Sequence, residues 1–558
     1  MKAVVISIVT LFLGQAFGFD LSESSLKRAK EIMKKMSLQE KIGQMTQAER
    51  QHATPTDVKK YALGSILSGG GSNPTPNTPE AWKKMVKEYY DYSLKSKSGV
   101  PLIYGVDAVH GHNNVLGATI FPHNIGLGVA NDLELTRKMG EVVAEELKAT
   151  GIYWNFAPTT AIAADQRWGR FYESFGHDVD VVTELSMAYM TGLQDAGVLA
   201  TPKHYLGDGG TAFGHDRGDT RLNEEEIRAT HLRPYIAAVK KGAQSIMISF
   251  SSINGEKMHG HHYWITKVLK GELNFQGFTV SDWNGIEELD GTYRDQVKKS
   301  VLAGIDLFMV PERWKEFMTT LEELVLSGEV PMSRINDAVT RIIAVKDAMG
   351  LFKLDFSSVH SFGVSAHREI ADKLAEKSLI IVKNQNVLPL KNKRILLTGK
   401  AATNTGYQCG GWTIEWQGVE ENVPGATSIY EALKKNGAQV TFVSTEKLRL
   451  INPADFDVAI AAIGEKPYTE MMGDIVMGEY PYPDRTPYGN TLDYYSLHPE
   501  DKLVMEELKK KDLPIMTMVF SGRTLEMTEL KNDSDAFVLA WLPGSELNLM
   551  AKKLIQLK

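Results

Sequence analysis

Short apolar runs in this sequence end on side chains that can hold or attack a polyhydroxylated molecule. "PLIYGVDAV" closes near Asp107, "LATPKHY" on Lys203 and His204, and "GFTVSD" on Asp282, while Arg170 follows shortly after "WNFAPT". Any one of them alone reads as a loop residue with a local partner. Together they supply two bases, an imidazole and two carboxylates, a set suited to gripping vicinal hydroxyls through charge-assisted hydrogen bonds. Asp282 stands between the Ser281 hydroxyl and the Trp283 indole. A carboxylate held beside an aromatic face can attack an electrophilic sugar carbon or support an oxocarbenium-like centre. Glycoside hydrolysis then needs a second carboxyl group.

Bringing these residues together requires strands that run side by side. Candidate strands are "GSIL" (64–67), "PLIYGVDAV" (101–109), "WNFAPT" (154–159), "LATPKHY" (199–205), "SIMISF" (245–250), "GFTVSD" (277–282) and "GIDLFMV" (304–310). Between them, "DLELTRKMGEVVAEELKAT" and "NEEEIRATHLRPYIAAVKKG" carry apolar residues at helical spacing. Repeated βα units predict a parallel sheet, closed at this length into a (β/α) TIM-like barrel over residues 19–357, with its active site at the C-terminal strand ends. Residues 358–378 read as a linker. A second α/β series follows over 379–558, with strands "RILLTG", "QVTFVS", "DVAIAAIG", "LPIMTMVFSG" and "AFVLAWLPG" and helices near 426–436 and 498–511, and predicts an α/β sandwich. The insert from Pro467 to Leu497, rich in Tyr, Pro, Gly and acids, is expected to lie outside any core.

At 558 residues the chain exceeds one ordinary core. A net charge of -7 without any Lys/Arg-rich run leaves no surface for nucleic acid. "MKAVVISIVTLFLGQAFG" has the layout of a signal peptide cleaved after Gly18, and no later segment approaches ~18 unbroken apolar residues. The expectation is a secreted or vesicle-lumen protein, free of the membrane after cleavage. Cys409 is the only cysteine, which rules out an intramolecular disulfide, and Asn532 begins a glycosylation sequon.

The motifs "GVDAVHGHNNV", "ATIFPHNIGLG", "DQRWGRFYESFG", "TPKHYLGDGGT", "GFTVSDWNGI", "GGWTIEWQG" and "GEKPYTEMMGD" resemble those of glycoside hydrolase family 3, in its β-glucosidase and exo-acting β-glucan glucohydrolase branch. The resemblance runs in order through both domains. It implies that Asp282 is the nucleophile and that Glu470 is the acid/base, with Glu465 in the same motif as the competing choice. It implies further that Asp107, Arg170, Lys203 and His204 hold the terminal glucosyl unit, and that Trp283 and Trp416 sandwich the next sugar with Trp412 nearby. Met247, in "SIMISF", is counted with these binding residues. Phe250 stands where a Tyr is seen in the family, and Glu288 where some plant members carry an Arg, so linkage preference does not carry over. The family usually continues past "WLPGSELNLMAKKLIQLK", so the second domain is expected to be short and its last helix loosely packed.

The implied reaction is a retaining hydrolysis of terminal nonreducing β-D-glucosyl residues from β-glucans, cello-oligosaccharides or β-glucosides. In such an enzyme two carboxyl groups about 5 to 5.5 Å apart act as nucleophile and acid, and neither step calls for a metal or organic cofactor. Glu470 must start protonated; desolvation and the Asp282 charge are expected to raise its pKa. The alternatives are a β-xylosidase, an N-acetylhexosaminidase-like enzyme using His215 and Asp216, and a catalytically inactive carbohydrate-binding protein.

Overall fold

The computed structural model describes residues 21–478, 480, 482 and 485–557; the expected signal segment 1–18 lies outside them. Barrel strands β1 (Thr46–Glu49), β2 (Ser65–Ser68), β3 (Ile103–Val106), β4 (Trp154–Asn155), β5 (Leu199–Ala200), β6 (Ser245–Met247), β7 (Phe278–Val280) and β8 (Phe308–Met309) are all short and buried. The order β8-β1-β2-β3-β4-β5 forms one six-stranded parallel sheet, and β6 pairs with β7. Single parallel bridges, Tyr205 to Ile248 and Val280 to Leu307, join that pair to the chain on either side. The sheet thus curls round as a barrel wall, as the βα repeat predicts.

β1 is absent from the strands expected above. Its residues, "TQAE", carry no apolar alternation, yet all four are buried. Thr46 Oγ1 donates to the Ile42 carbonyl at 2.8 Å and Gln47 Nε2 to Ser65 Oγ at 2.8 Å, so burial leaves those donors satisfied. The helix expected after Asn131 forms as Leu133–Ala149, capped by Asp132 Oδ1 accepting from the Leu135 N–H at 2.9 Å. Met139, Val143 and Leu147 share its buried face, each such side chain contributing about 1.5–3 kcal/mol. "NEEEIRATHLRPYIAAVKKG" breaks into Glu224–Ala229 and Arg233–Lys240. Pro234 has no N–H to continue the first helix and its fixed φ starts the second.

The second domain holds β9 (Ile380–Asn384), β10 (Arg394–Thr398), β11 (Gln439–Phe442), β12 (Val458–Gly464), β13 (Ile515–Phe520) and β14 (Ala536–Leu539), in the order β9-β14-β13-β12-β10-β11. Only the edge pair β9 and β14 is antiparallel. Separate apolar cores cover its two faces, which makes it a sandwich. Two expectations need correction. The last helix, Asn548–Gln556, is packed, not loose: Met550, Ala551 and Leu554 lie in the core. The insert contributes to the other core through Ile475, Tyr494 and Tyr495 because its aromatic rings outweigh its turn residues.

The stretch read as a linker contains helix Ser365–Ser378, with Leu374 in the first domain's core and Ala375 in the second's. Direct hydrogen bonds also fasten the domains: Tyr172 Oη donates to the Tyr468 carbonyl at 2.6 Å, and Asn113 Nδ2 to the Trp412 carbonyl at 2.8 Å. At Gly169 the approach is so close that an added Cβ would lie 1.9 Å from the Glu470 carbonyl oxygen. Only glycine fits there, and the loop carrying Arg170 is pressed against the segment carrying Glu470. Among the described residues no helix is long and apolar enough to cross a membrane.

Candidate active site

The ten residues expected to act in catalysis or substrate binding line one cavity of about 540 Å³ between the two domains: Asp107, Arg170, Lys203, His204, Met247, Asp282, Trp283, Trp412, Trp416 and Glu470. Its floor is a hydrogen-bonded lattice built on strand ends. Lys203 Nζ donates to Asp107 Oδ1 at 2.7 Å. Arg170 is held bidentately by Glu173, with Nε to Oε1 at 3.0 Å and Nη2 to Oε2 at 2.9 Å. Nη2 also donates to His204 Nε2 at 3.2 Å, which puts the imidazole proton on Nδ1, 2.8 Å from Asp208 Oδ2. Burial, reinforced by the charges of Arg170 and Lys203, keeps His204 well below its usual pKa and therefore neutral.

Asp282 follows β7. Its backbone N–H donates to His259 Nε2 at 3.0 Å, and its Oδ1 accepts the Trp283 N–H at 2.7 Å. Oδ2 is buried and accepts no hydrogen bond, with His204 Nε2 3.6 Å away. Burial pushes the carboxyl up to about 7; Arg170 opposes this, Glu470 adds to it, and Lys203 opposes it.

Glu470 enters from the second domain on a left-handed residue, φ 54°. Its Oε2 accepts from Arg217 Nη2 at 2.9 Å, and its Oε1 from Trp416 Nε1 at 3.1 Å, with Arg170 Nη1 3.7 Å away. The expected rise in its pKa is not found. Burial does push the carboxyl up, but Arg170 and Arg217 together with the hydrogen bonds from Arg217 and Trp416 overcome it and hold the group below its ordinary value. The second of these guanidinium groups, Arg217, comes from the "FGHDRGD" loop, away from the C-terminal ends of the barrel strands.

Trp283 and Trp416 stand half-buried at the mouth, whereas Trp412 is buried and packs with Val109, Ile125, Tyr172 and Tyr468 as well as lining the cavity. Gly70 makes room for Trp416: a Cβ there would lie 2.7 Å from the Trp416 backbone nitrogen. Past the two indoles a more open hollow of about 560 Å³ continues outward, lined by Glu49, His52, Glu312 and Glu415 among others. Sequence reasoning missed Gly69, Gly70, Arg217, Met309 and Met471 in the inner lining; the "GGG" after "GSILS" was the available signal for the glycines.

Glu465 does not line the cavity. Its Oε1 pairs with Arg523 Nε at 3.1 Å, and its Oε2 accepts from Ser521 Oγ at 2.7 Å, the Gly522 N–H at 3.0 Å and Tyr468 Oη at 3.0 Å. Glu465→Ala strands a buried guanidinium and is expected to cost ~3–5 kcal/mol of stability, read as a lowered thermal midpoint. An altered pH–rate profile at unchanged stability would instead assign Glu465 to the chemistry. His215 and Asp216 also lie outside the lining, and Asp216 Oδ1 accepts the Trp168 indole N–H at 3.0 Å.

The chain matches the glycosyl hydrolase family 3 N-terminal domain over residues 37–345 and the C-terminal domain of the same family over 379–555. It is 31% identical to the lysosomal beta glucosidase of Dictyostelium discoideum, over 92% of this chain and 68% of that protein. The periplasmic beta-glucosidase of Salmonella typhimurium is 26% identical, over 92% and 70%. Among solved structures, the exo-1,3/1,4-beta-glucanase of a Pseudoalteromonas species superposes with a TM-score of 0.89 at 37% identity, covering 96% of this chain and 68% of that one.

Proposed function

Because the chain belongs to glycosyl hydrolase family 3 and is a glycoside hydrolase, we propose that it is a retaining, exo-acting β-glucosidase with Asp282 as nucleophile and Glu470 as acid/base. Its substrates are terminal nonreducing β-D-glucosyl residues of β-glucans, cello-oligosaccharides or β-glucosides. The observation that carries the reading is Asp282 Oδ2, a buried carboxylate oxygen with no hydrogen bond to satisfy it, in a cavity that Glu470 enters from the other domain. Asp107, Arg170, Lys203 and His204 grip the hydroxyls of the sugar, Met247 packs beside it, and Trp412 closes over it. Trp283 and Trp416 take the following unit. Asp282 attacks the anomeric carbon while Glu470 protonates the leaving oxygen; Glu470 then draws a proton from water, which releases β-glucose.

A named β-xylosidase of Formosa agariphila is among the relatives, at 27% identity, but the β-glucosidase and exo-glucanase relatives favour glucose. Residues 1–18 direct the protein out of the cytoplasm, in keeping with relatives named lysosomal and periplasmic. The test is proton NMR of 4-nitrophenyl β-glucoside and cellobiose digests. β-Glucose is expected as the first-formed anomer, with the α-anomer growing in only by mutarotation. First-formed α-glucose would overturn the retaining assignment, and faster cleavage of the β-xyloside would overturn the specificity.

A further inference from the structure

Arg217 closes no strand and performs no step of the reaction above, yet it touches the residue on which that reaction turns. It has left-handed backbone, φ 59°, and its guanidinium lies over the Phe250 ring with Cζ 3.7 Å from the centroid. Nη2 donates to Glu470 Oε2 and Nη1 to Glu288 Oε1, both at 2.9 Å. The other oxygen of Glu288 accepts from Lys257 Nζ at 2.7 Å. Two carboxylates therefore hang on one guanidinium; Glu288 is hydrogen-bonded to a second cation, whereas the second cation beside Glu470, Arg170, stands off at 3.7 Å from Oε1. With Trp416 on Oε1, both oxygens of Glu470 are committed as acceptors. A general acid needs one oxygen that carries a proton and faces the leaving group.

We propose that Arg217 is a positioning residue for the acid, a latch that holds Glu470 as a carboxylate in the empty cleft and withdraws onto Glu288 when substrate fills it. The inference rests on Glu470 being the acid. Withdrawal breaks one hydrogen bond, Nη2 to Oε2, and keeps the other, so the cation stays paired throughout. The freed Oε2 then takes up the one proton that the acid needs, from solvent or from Asp282 where that carboxyl still holds one. Besides Arg217, Glu470 faces Arg170 from the loop after β4, Asp216 beside Arg217, and Asp282 after β7. Arg485, Glu287 and Glu288 line the same cavity. Arg170 is committed to Glu173 by two hydrogen bonds, which leaves Arg217 as the cation with an alternative partner at hand.

The test compares kcat/KM with pH for methyl β-glucoside, whose leaving group needs a proton, and 2,4-dinitrophenyl β-glucoside, whose leaving group does not. On the acid side the rate follows ionisation of Asp282; on the alkaline side it follows retention of a proton on Glu470. For Arg217→Met, the variant-to-wild-type ratio on methyl β-glucoside should climb roughly tenfold from acid to alkaline pH, the size of one unit in an essential pKa. Arg217→Lys should restore a flat ratio. Glu288→Gln, which leaves Arg217 to Glu470 alone, should make the ratio fall instead, and it keeps the test open should Arg217→Met not fold. No variant should show the trend on the dinitrophenyl substrate. A flat ratio on methyl β-glucoside, or the same trend on both substrates, overturns the latch. Failure of Glu470→Ala to regain rate on the dinitrophenyl substrate overturns the acid assignment independently of Arg217.

Discussion

Asp282→Ala is expected to lower glycoside turnover by roughly four orders of magnitude or more, the scale on which enzymes lose rate with their nucleophile. The fold should not suffer. Asp282 Oδ2 accepts nothing and Oδ1 accepts only the neighbouring Trp283 N–H, so truncation leaves no distant donor stranded. Stability should in fact rise. The folded chain holds this carboxyl near 7, above the ordinary aspartate value of about 3.9, so ionisation costs folding free energy. Below about pH 4 both states are protonated and variant and wild type should unfold alike. Between about 4 and 7 the variant's advantage should grow, and above 7 it should level off. Thermal melts across that range check the sign: an advantage that shrinks with rising pH, or activity within tenfold of wild type, would remove Asp282 from its role.

Glu470→Ala should slow ordinary glucosides by about 10²–10⁴, the usual contribution of a positioned acid, while dinitrophenyl glucoside keeps much of its rate of glycosyl transfer to Asp282. The same residue serves as base in the second step, so the glycosyl-enzyme should accumulate. Stopped-flow traces should show a burst of nitrophenolate followed by slow turnover. A small anionic nucleophile such as azide needs no base and should restore the steady state, leaving as the β-glucosyl adduct. Equal losses on all substrates, without a burst, would mean that Glu470 is structural and that the proton comes from elsewhere.

Much of this site was legible because strand ends are legible. Asp107, Lys203, His204 and Asp282 follow short apolar runs, and a parallel barrel delivers such positions to one rim. The assignments that failed are those in which a residue's neighbours come from distant loops. Glu470 was expected to be protonated on the strength of desolvation and the Asp282 charge; Arg170 and Arg217, brought against it by the docking at Gly169 and by a left-handed turn, reverse the sign. Strand β1 escaped notice because its polar residues are satisfied only once Ser65 and the Ile42 carbonyl are beside them. The break before Pro234 was visible in the sequence, since a proline stands inside an otherwise helical pattern.

The cavity leads from the half-buried Trp283 and Trp416 to a floor of Arg170, Lys203 and His204, whose side chains are each no more than 4% exposed. In the proposed reaction this geometry fixes an order of events. The nonreducing glucose enters first and leaves last, the remainder of the substrate departs past the indoles, and the hydrolytic water must come in through the opening it vacates. Free glucose should therefore compete with substrate for the floor as a product inhibitor. Any alcohol that settles between Trp283 and Trp416 before water arrives can take the glucosyl group instead, so concentrated sugar solutions should turn the enzyme from a hydrolase into a builder of new β-linked oligosaccharides.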